Sequence, residues 1–444
     1  MNQGIPSYTK IWKVTYPIIL SLLAQNIINV IDTAFLGRVG EIELGASAIA
    51  GIFYIAVFML GFGFSIGTQI MIARRNGEKK YRQIGSIFDQ SVYFLFFIGL
   101  FIFVFIFFFG APILKQIVSS DNIFIAAKSY LKIRVWGIFF AFGNLAFRAL
   151  YVGVTNTKSL GYSAFIMAIT NVIFDYLLIF GHFGFPQMGI AGAALASVIA
   201  EAVSLVFFMV YTYYTIDPKF YHLFRFPKID INLIKSTLSI SSYIMLQYFL
   251  SVATWFSFFA IIEQMGERPL AISNIIRSIY MVLVIPIMGL STATSSLVSN
   301  AIGEGFTENV MQIINRIVKI SLFSVIPFVI LIWLIPEWLI RIYTNDMHLI
   351  SESVSSLYVI SGAIVIFAIA FVVFSGVSGT ANTKTALGIE VITLIVYLAF
   401  LYWVVILRNV DIAVAWTSEY IYMSGLAIFS YWYLLKGNWR LKKI

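Results

Sequence analysis

The chain has no cysteine in its 444 residues. Disulfides, thiolate nucleophiles and cysteine-held metals are excluded, and the redox compartment is left unmarked. Histidine is almost as scarce. His182, His222 and His348 fall in loops between apolar runs and form no metal-ligand spacing, so little is left for a membrane enzyme to work with. Charged residues are only 11% of the chain, far below the norm for a soluble domain. No nucleotide motif is present either. Gly61-x-Gly63 lies inside an apolar run with no soluble strand before it, so it is not a dinucleotide site. No cofactor is expected, and ATP has no motif through which to act.

What the chain has instead is hydrocarbon: 60% of residues are apolar, and the mean hydropathy is +0.93. Apolar runs of about 20 residues recur throughout, long enough to cross a bilayer as helices. Twelve are expected, at roughly 14–36, 46–72, 86–110, 128–151, 160–181, 190–214, 236–262, 270–299, 312–335, 354–377, 386–407 and 412–435. The first run holds Asn26, Asn29 and Asp32 and shows no small-residue cleavage site, so a retained helix is expected rather than a removable signal peptide.

The chain also repeats itself. Gly153-x-x-Asn156-Thr157-Lys158 returns 226 residues later as Gly379-x-x-Asn382-Thr383-Lys384. The same offset maps Gly40-Glu41 onto Gly266-Glu267, Gly63 onto Gly289, Thr68 onto Thr294 and Gly77-Glu78 onto Gly303-Glu304. A register kept without a gap over that distance argues for duplication. The expected fold is an all-α membrane protein of two six-helix lobes, related by a pseudo-twofold axis along the membrane normal. That architecture points to a transporter. The N-terminal lobe is expected at 1–214, an inter-lobe loop at 215–235 and the C-terminal lobe at 236–444, the loop being marked by Asp217-Pro218, Pro227 and four basic residues.

The net charge of +9 does not indicate nucleic acid, because the basic residues lie between apolar runs. With a cytoplasmic N-terminus, about 20 of the basic residues fall inside and about eight outside. The inside set includes the cluster Arg74-Arg75-x3-Lys79-Lys80-x-Arg82 and the C-terminal Lys436, Arg440, Lys442 and Lys443. Both termini are expected in the cytoplasm, the chain is expected in the bacterial inner membrane, and membrane lipid is its expected surrounding.

A carboxylate in hydrocarbon costs several kcal/mol unless it meets a cavity, a cation or a proton. Asp32 lies in the first span, with Gln25 and Asn29 seven and three residues earlier on the same helical face. Asn171 and Asp175 stand at i and i+4 in the fifth span. Convergence of these two faces would make one hydrophilic pocket, poised to exchange a proton or to hold Na⁺ between carboxyl and amide oxygens. Helix glue is the competing reading of Asp32 and Asp175. Glu390 and Glu419 are candidate acids of the second half, Glu201 is a weaker candidate, and Glu263 falls near a helix end. Gly63-x-x-x-Gly67 and Gly189-x-x-Gly192 are expected to let helices approach closely. Pro17, Pro286 and Pro327 fall within spans, where proline removes a backbone donor and bends the helix. A bend at Pro17 that follows the charge state of Asp32 and a static kink are both open. Aromatics reach 17%; most, such as Phe101 to Phe109, should face lipid or pack helices, and some would suit an amphipathic cation.

Taken together, these residues resemble the MATE (multidrug and toxic compound extrusion) transporters over nearly the whole chain. The likeness is carried by Pro17, Gln25, Asp32-Thr33-Ala34-Phe35-Leu36-Gly37, Leu44-Gly45-Ala46 and Phe64-Ser65-Ile66-Gly67-Thr68. It continues in Arg148-Ala149-Leu150, Asn156-Thr157-Lys158 and Gly189-Ile190-Ala191-Gly192-Ala193-Ala194. The first-span aspartate and Asn-x3-Asp look closest to the DinF-like branch. The resemblance implies a cation-coupled exporter of amphipathic, often cationic, organic compounds. Asp32, Asn171, Asp175 and Ser197 would form its H⁺ or Na⁺ site, Gln25 and Asn144 its polar neighbours, and Pro17 its bending point. Acids that bind the cation in the NorM-like branch have no counterpart in Gln247 to Phe259 or Ile364 to Phe374, so Glu390 or Glu419 would have to substitute.

The expected mechanism is alternating access by rocking of two lobes around a central cleft, in a single chain acting as a monomer, with a small organic substrate and no nucleic acid. Entry of the coupling ion neutralises the acid pair and releases substrate. The alternative is a lipid-linked precursor flippase of the related superfamily. It would want arginines for pyrophosphate, and only Arg134, Arg148 and Arg277 lie near spans. An aspartyl intramembrane protease needs two facing aspartates, which Asp32 and Asp175 could mimic, but the duplication argues otherwise, and uphill efflux would exclude a passive channel.

Overall fold

The computed structural model describes residues 4–408 and 410–441; Lys442 and Lys443 of the basic C-terminus lie outside them. Among the described residues there is no strand. The first copy runs through α1 (Tyr8–Val39), α2 (Glu41–Gly77), α3 (Tyr81–Ile117), α4 (Asp121–Arg134), α5 (Gly137–Gly153), α6 (Lys158–Phe180) and α7 (Ile190–Thr215). A short α8 (Pro218–Tyr221) follows. The second copy holds α9 (Ile231–Glu263), α10 (Glu267–Gly303), α11 (Val310–Leu334), α12 (Pro336–Arg341) and α13 (Met347–Gly379). It ends with α14 (Thr383–Tyr402), α15 (Ile412–Trp416) and α16 (Ser418–Lys436). Among the described residues eleven helical segments are long and apolar enough to cross a membrane, and the pair α4–α5, bent by 49°, makes a twelfth. A helix satisfies every backbone group within its own segment, and that is why apolar sequence of this length adopts it in lipid. The fourth span, expected unbroken over 128–151, is thus two helices that meet at Val135-Trp136.

The 226-residue offset is written into the backbone. It carries α2 onto α10 residue for residue, both 37 long. It also carries the ends of α5 and α13, Gly153 and Gly379, onto each other. The left-handed residues that stop these helices match as well: Lys79 (φ 58°) with Gly305 (φ 88°), and Thr155 (φ 59°) with Ala381 (φ 68°). Thr68 Oγ1 donates to the Phe64 carbonyl at 3.2 Å, and Thr294 Oγ1 donates to that of Leu290 at 2.8 Å. One difference stands out: α13 runs unbroken where its counterpart is split into α4 and α5.

Two compact units are present. One spans Tyr16–Met245; the other joins the N-terminal stretch up to Thr15 to the chain from Leu246 onward. The divisions fall inside α1, two residues before Pro17, and inside α9.

In the first unit, a Cβ on Gly67 would strike Ser241, and one on Gly63 would strike the Met245 backbone. These glycines let α2 meet α9 backbone to backbone. Gly192 does the same for α7 against Leu178 of α6. The loop after α8 is strapped to α3. Asp89 accepts from the Phe224, Arg225 and Phe226 amides at 3.0–3.1 Å. Gln90 donates to the Lys228 carbonyl and accepts from the Asp230 amide, both at 3.0 Å. The second unit has its own apolar core, in which Leu357, Ile360, Ile364, Ala368 and Val372 of α13 are buried. The Phe101 to Phe109 run of α3 is mostly exposed, the surface that acyl chains would cover.

Candidate functional site

Asp32 approaches from α1, and Asn171 and Asp175, one turn apart, approach from α6. Asn171 and Asp175 are buried and Asp32 is partly so. Both carboxyl groups converge on the Asn171 amide. With its nitrogen turned inward, the Asn171 amide donates to Asp32 Oδ1 at 2.9 Å and to Asp175 Oδ2 at 3.2 Å. With its oxygen turned inward, it becomes a further oxygen facing the pair. Asp175 Oδ1 is fully buried and meets no donor. Two carboxyls that share one amide, one of them with an unmet oxygen, are suited to hold a proton or a cation. No cluster of three or more acidic, histidine or cysteine side chains suited to a metal occurs among the described residues. An ion here would therefore rest on two carboxyls and an amide.

The other expected members are placed differently. Gln25 and Asn29 are exposed on α1, and their side chains make no hydrogen bond to the acid pair. The polar face of α1 thus narrows to Asp32 where it meets α6. Ser197, on α7, is partly buried and makes no hydrogen bond to the triad. Pro17 lies inside α1, which continues through it, and faces Gly161 at the start of α6. Asn144 belongs to a second network. Its Nδ2 donates to the Glu201 carbonyl at 2.9 Å, and its Oδ1 accepts from Ser204 at 3.1 Å, which in turn pairs with Ser163 at 2.7 Å.

That second network centres on an ion pair whose partner the sequence does not announce. Arg134, the last residue of α4, forks onto Glu201 of α7, Nη1 to Oε2 at 2.8 Å and Nη2 to Oε1 at 2.6 Å. The guanidinium carbon sits 3.9 Å from the centre of the Tyr54 ring. The triad and the ion pair lie in the same compact unit, Tyr16–Met245. The one local signal was Gly137, three residues after Arg134. A Cβ there would overlap both the guanidinium and the Glu201 carboxylate.

In the second unit, Glu390 accepts from Ser251 at 2.9 Å and from Tyr422 at 3.1 Å, while Glu419 accepts from Tyr397 at 3.2 Å. Both acids are buried among tyrosines, and each has a protein donor. Glu263 is exposed at the end of α9. The repeat sharpens the contrast between copies. Asp32, Asn171, Asp175, Arg134 and Glu201 map onto Phe258, Tyr397, Leu401, Ile360 and Ala427, so this set of charges occurs in one copy alone.

A family model described as MatE matches residues 17–177 and again 244–403, once in each copy. The probable multidrug resistance protein NorM of Agrobacterium fabrum is 28% identical over 351 residues, covering 78% of this chain and 75% of that protein. Among solved structures, a MOP superfamily transporter from Pyrococcus furiosus, whose reversed pocket polarity suggests a different function, superposes with a TM-score of 0.88. It shares 18% identity and covers 96% of each chain. A multidrug resistance MATE family transporter in an outward-facing conformation gives 0.86 at 18% identity, covering 96% of this chain and 94% of that one. At such identity these structures speak to the fold alone.

Proposed function

The chain belongs to the MatE family, a multi-pass membrane transporter rather than an enzyme, and from that premise we propose that it is a cation-coupled antiporter exporting amphipathic organic cations. The observation that carries this reading is the Asp32–Asn171–Asp175 triad, with Asn171 and Asp175 buried and Asp175 Oδ1 unmet. An ion of one positive charge, H⁺ or Na⁺, completes that site from the membrane's outer side and neutralises it. Neutralisation weakens the hold on a cationic substrate, and exchange follows if the two ligands favour different states of an alternating-access cycle. Ser197 and the polar stretch of α1 that holds Gln25 and Asn29 line the approach to the ion. Pro17 is the point at which α1 gives, because its carbonyl partner one turn back has no donor to lose.

On this reading the chain is a DinF-like member, acting as a monomer in a bacterial inner membrane with both termini in the cytoplasm. Its functional halves are 1–214 and 236–444, joined by a cytoplasmic 215–235. Glu390 and Glu419 serve as supporting acids of the second half. The flippase reading is disfavoured because Arg134, one of the few arginines near the spans, is already neutralised by Glu201. The test is Asp32→Asn in cells challenged with toxic organic cations. Resistance should vanish while the amount of protein in the membrane is unchanged. Full resistance from that variant would show that Asp32 does not couple.

A further inference from the structure

The loop between the repeats is the natural place for a hinge, yet in this protein it is bolted down. Asp89 and Gln90 hold the amides of 224, 225, 226 and 230 and the Lys228 carbonyl. Tyr93 donates to the Pro227 carbonyl at 3.2 Å, and Gly85 lets Tyr221 and His222 lie directly on α3. The start of α9 is held as firmly. Ser241 Oγ donates to the Phe64 carbonyl of α2 at 3.2 Å, and a Cβ on Gly63 would strike the Met245 backbone. Farther along α9, Ser251 Oγ donates to Glu390 at 2.9 Å, and Phe258 and Ile262 are buried in the core of the second unit. One unbroken helix is thus anchored in the first compact unit up to Met245 and in the second from Ser251 onward. If the units reorient during transport, α9 takes up the change within 246–250.

The first copy answers the same demand in α1, whose beginning belongs to the second unit. Ile11 is buried in that unit's core, and Arg316 Nη1 donates to the Pro6 carbonyl at 3.0 Å. Arg316 stands 226 residues after Gln90, so equivalent positions of the repeat hold the lead-ins of the two helices. In α1, Pro17 interrupts the backbone ladder. Its counterpart in α9 is Tyr243, and 243–251 contains neither proline nor glycine. Such a helix kinks where a polar side chain enters the ladder.

Within 246–250, Gln247 is buried and its Nε2 meets no acceptor in the protein. An unpaired amide donor in an apolar setting costs stability, so leucine would serve the fold better there. Helical side chains lean back over the preceding turn. The Gln247 amide is therefore directed to the turn at 243–244, whose carbonyls lose the N–H groups of 247 and 248 when α9 bends.

We propose that Gln247 is a positioning residue for transport: α9 flexes at 246–250, and the Gln247 amide caps the carbonyls that the flexing frees. This rests on the alternating-access reading and names the residue that eases passage between its two states. The donor is unmet in this structure because its acceptors are released only in the bent helix.

The test is Gln247→Leu in proteoliposomes, with export of a fluorescent organic cation and thermal unfolding measured on one preparation. Leucine keeps the helix and removes the unmet donor, so the unfolding midpoint should hold or rise. The maximum export rate should fall about tenfold while the half-saturating concentration stays unchanged. Gln247→Met, closer to glutamine in shape, repeats the test where leucine disturbs packing. Wild-type rate in both variants, or a loss of rate matched by a lowered midpoint in both, would overturn the proposal. So would a changed half-saturating concentration at an unchanged maximum rate, which would make Gln247 a substrate contact. Absence of gradient-driven export by the wild type would instead overturn the antiporter reading beneath it.

Discussion

Thr155 adopts φ 59° and Ala381, its partner in the repeat, φ 68°. Left-handed backbone costs an L-residue roughly 1–2 kcal/mol, and a β-branched one most. Thr155→Gly should therefore raise the unfolding free energy by about 1 kcal/mol, allowing for the extra chain entropy that glycine loses. Thermal unfolding in detergent will show it; a lowered midpoint would mean that the threonine side chain holds the turn. Asp89 presents the opposite case, since its carboxylate satisfies three successive amides of the loop after α8. Asp89→Ala should cost about 1–3 kcal/mol and speed hydrogen exchange at the amides of 224–226; protection unchanged there would refute the strap. At this scale the sequence revealed what local spacing encodes. Asn171 and Asp175 share a helical face, and a carboxylate among apolar residues draws attention by its cost. Arg134 and Glu201 lie 67 residues apart. Nothing in periodicity pairs them, so each looked like an isolated charge.

Helices that approach through glycine make a testable contrast within one element. Gly67 and Gly51 both lie in α2, yet a Cβ on Gly67 would overlap Ser241 including its Cα, whereas one on Gly51 meets nothing within 4 Å. Gly67→Ala should destabilise by about 1–3 kcal/mol, because α9 must move away. Gly51→Ala should be neutral or stabilise by up to about 1 kcal/mol, since helical alanine loses less backbone freedom. Unfolding of both variants in one detergent checks the pair; equal effects would show that α2 does not meet α9 in this way. The small-xxx-small spacing made the packing role of Gly63 and Gly67 legible, and the duplicated Gly-x-x-Asn-Thr-Lys motif located matching helix ends. The break in the fourth span was not legible. Val135-Trp136-Gly137 is apolar, contains no proline and reads as continuous helix. Beside the bend, Arg134 pairs with Glu201 of α7, a tertiary contact that local spacing does not show.

For the molecule as a whole, hydropathy alone gave the number of spans, because in lipid each apolar run of sufficient length has to satisfy its own backbone. The division into compact units was less accessible. It falls within α1 and α9 rather than in the loop between the repeats, and Asp89 and Gln90 hold that loop to α3 of the first unit. The charges on which the proposed function rests lie in that same unit, and the second copy carries apolar or tyrosine residues at the equivalent positions. The account thus depends on one ion-exchanging acid pair in one half of a duplicated chain. The direct measurement is efflux of a fluorescent organic cation from proteoliposomes of the wild type and of Asp32→Asn, under separately imposed proton and sodium gradients. Uphill export by the wild type under one of the two gradients, and none by Asp32→Asn, is the predicted result. Gradient-driven export by Asp32→Asn at the wild-type rate would contradict it.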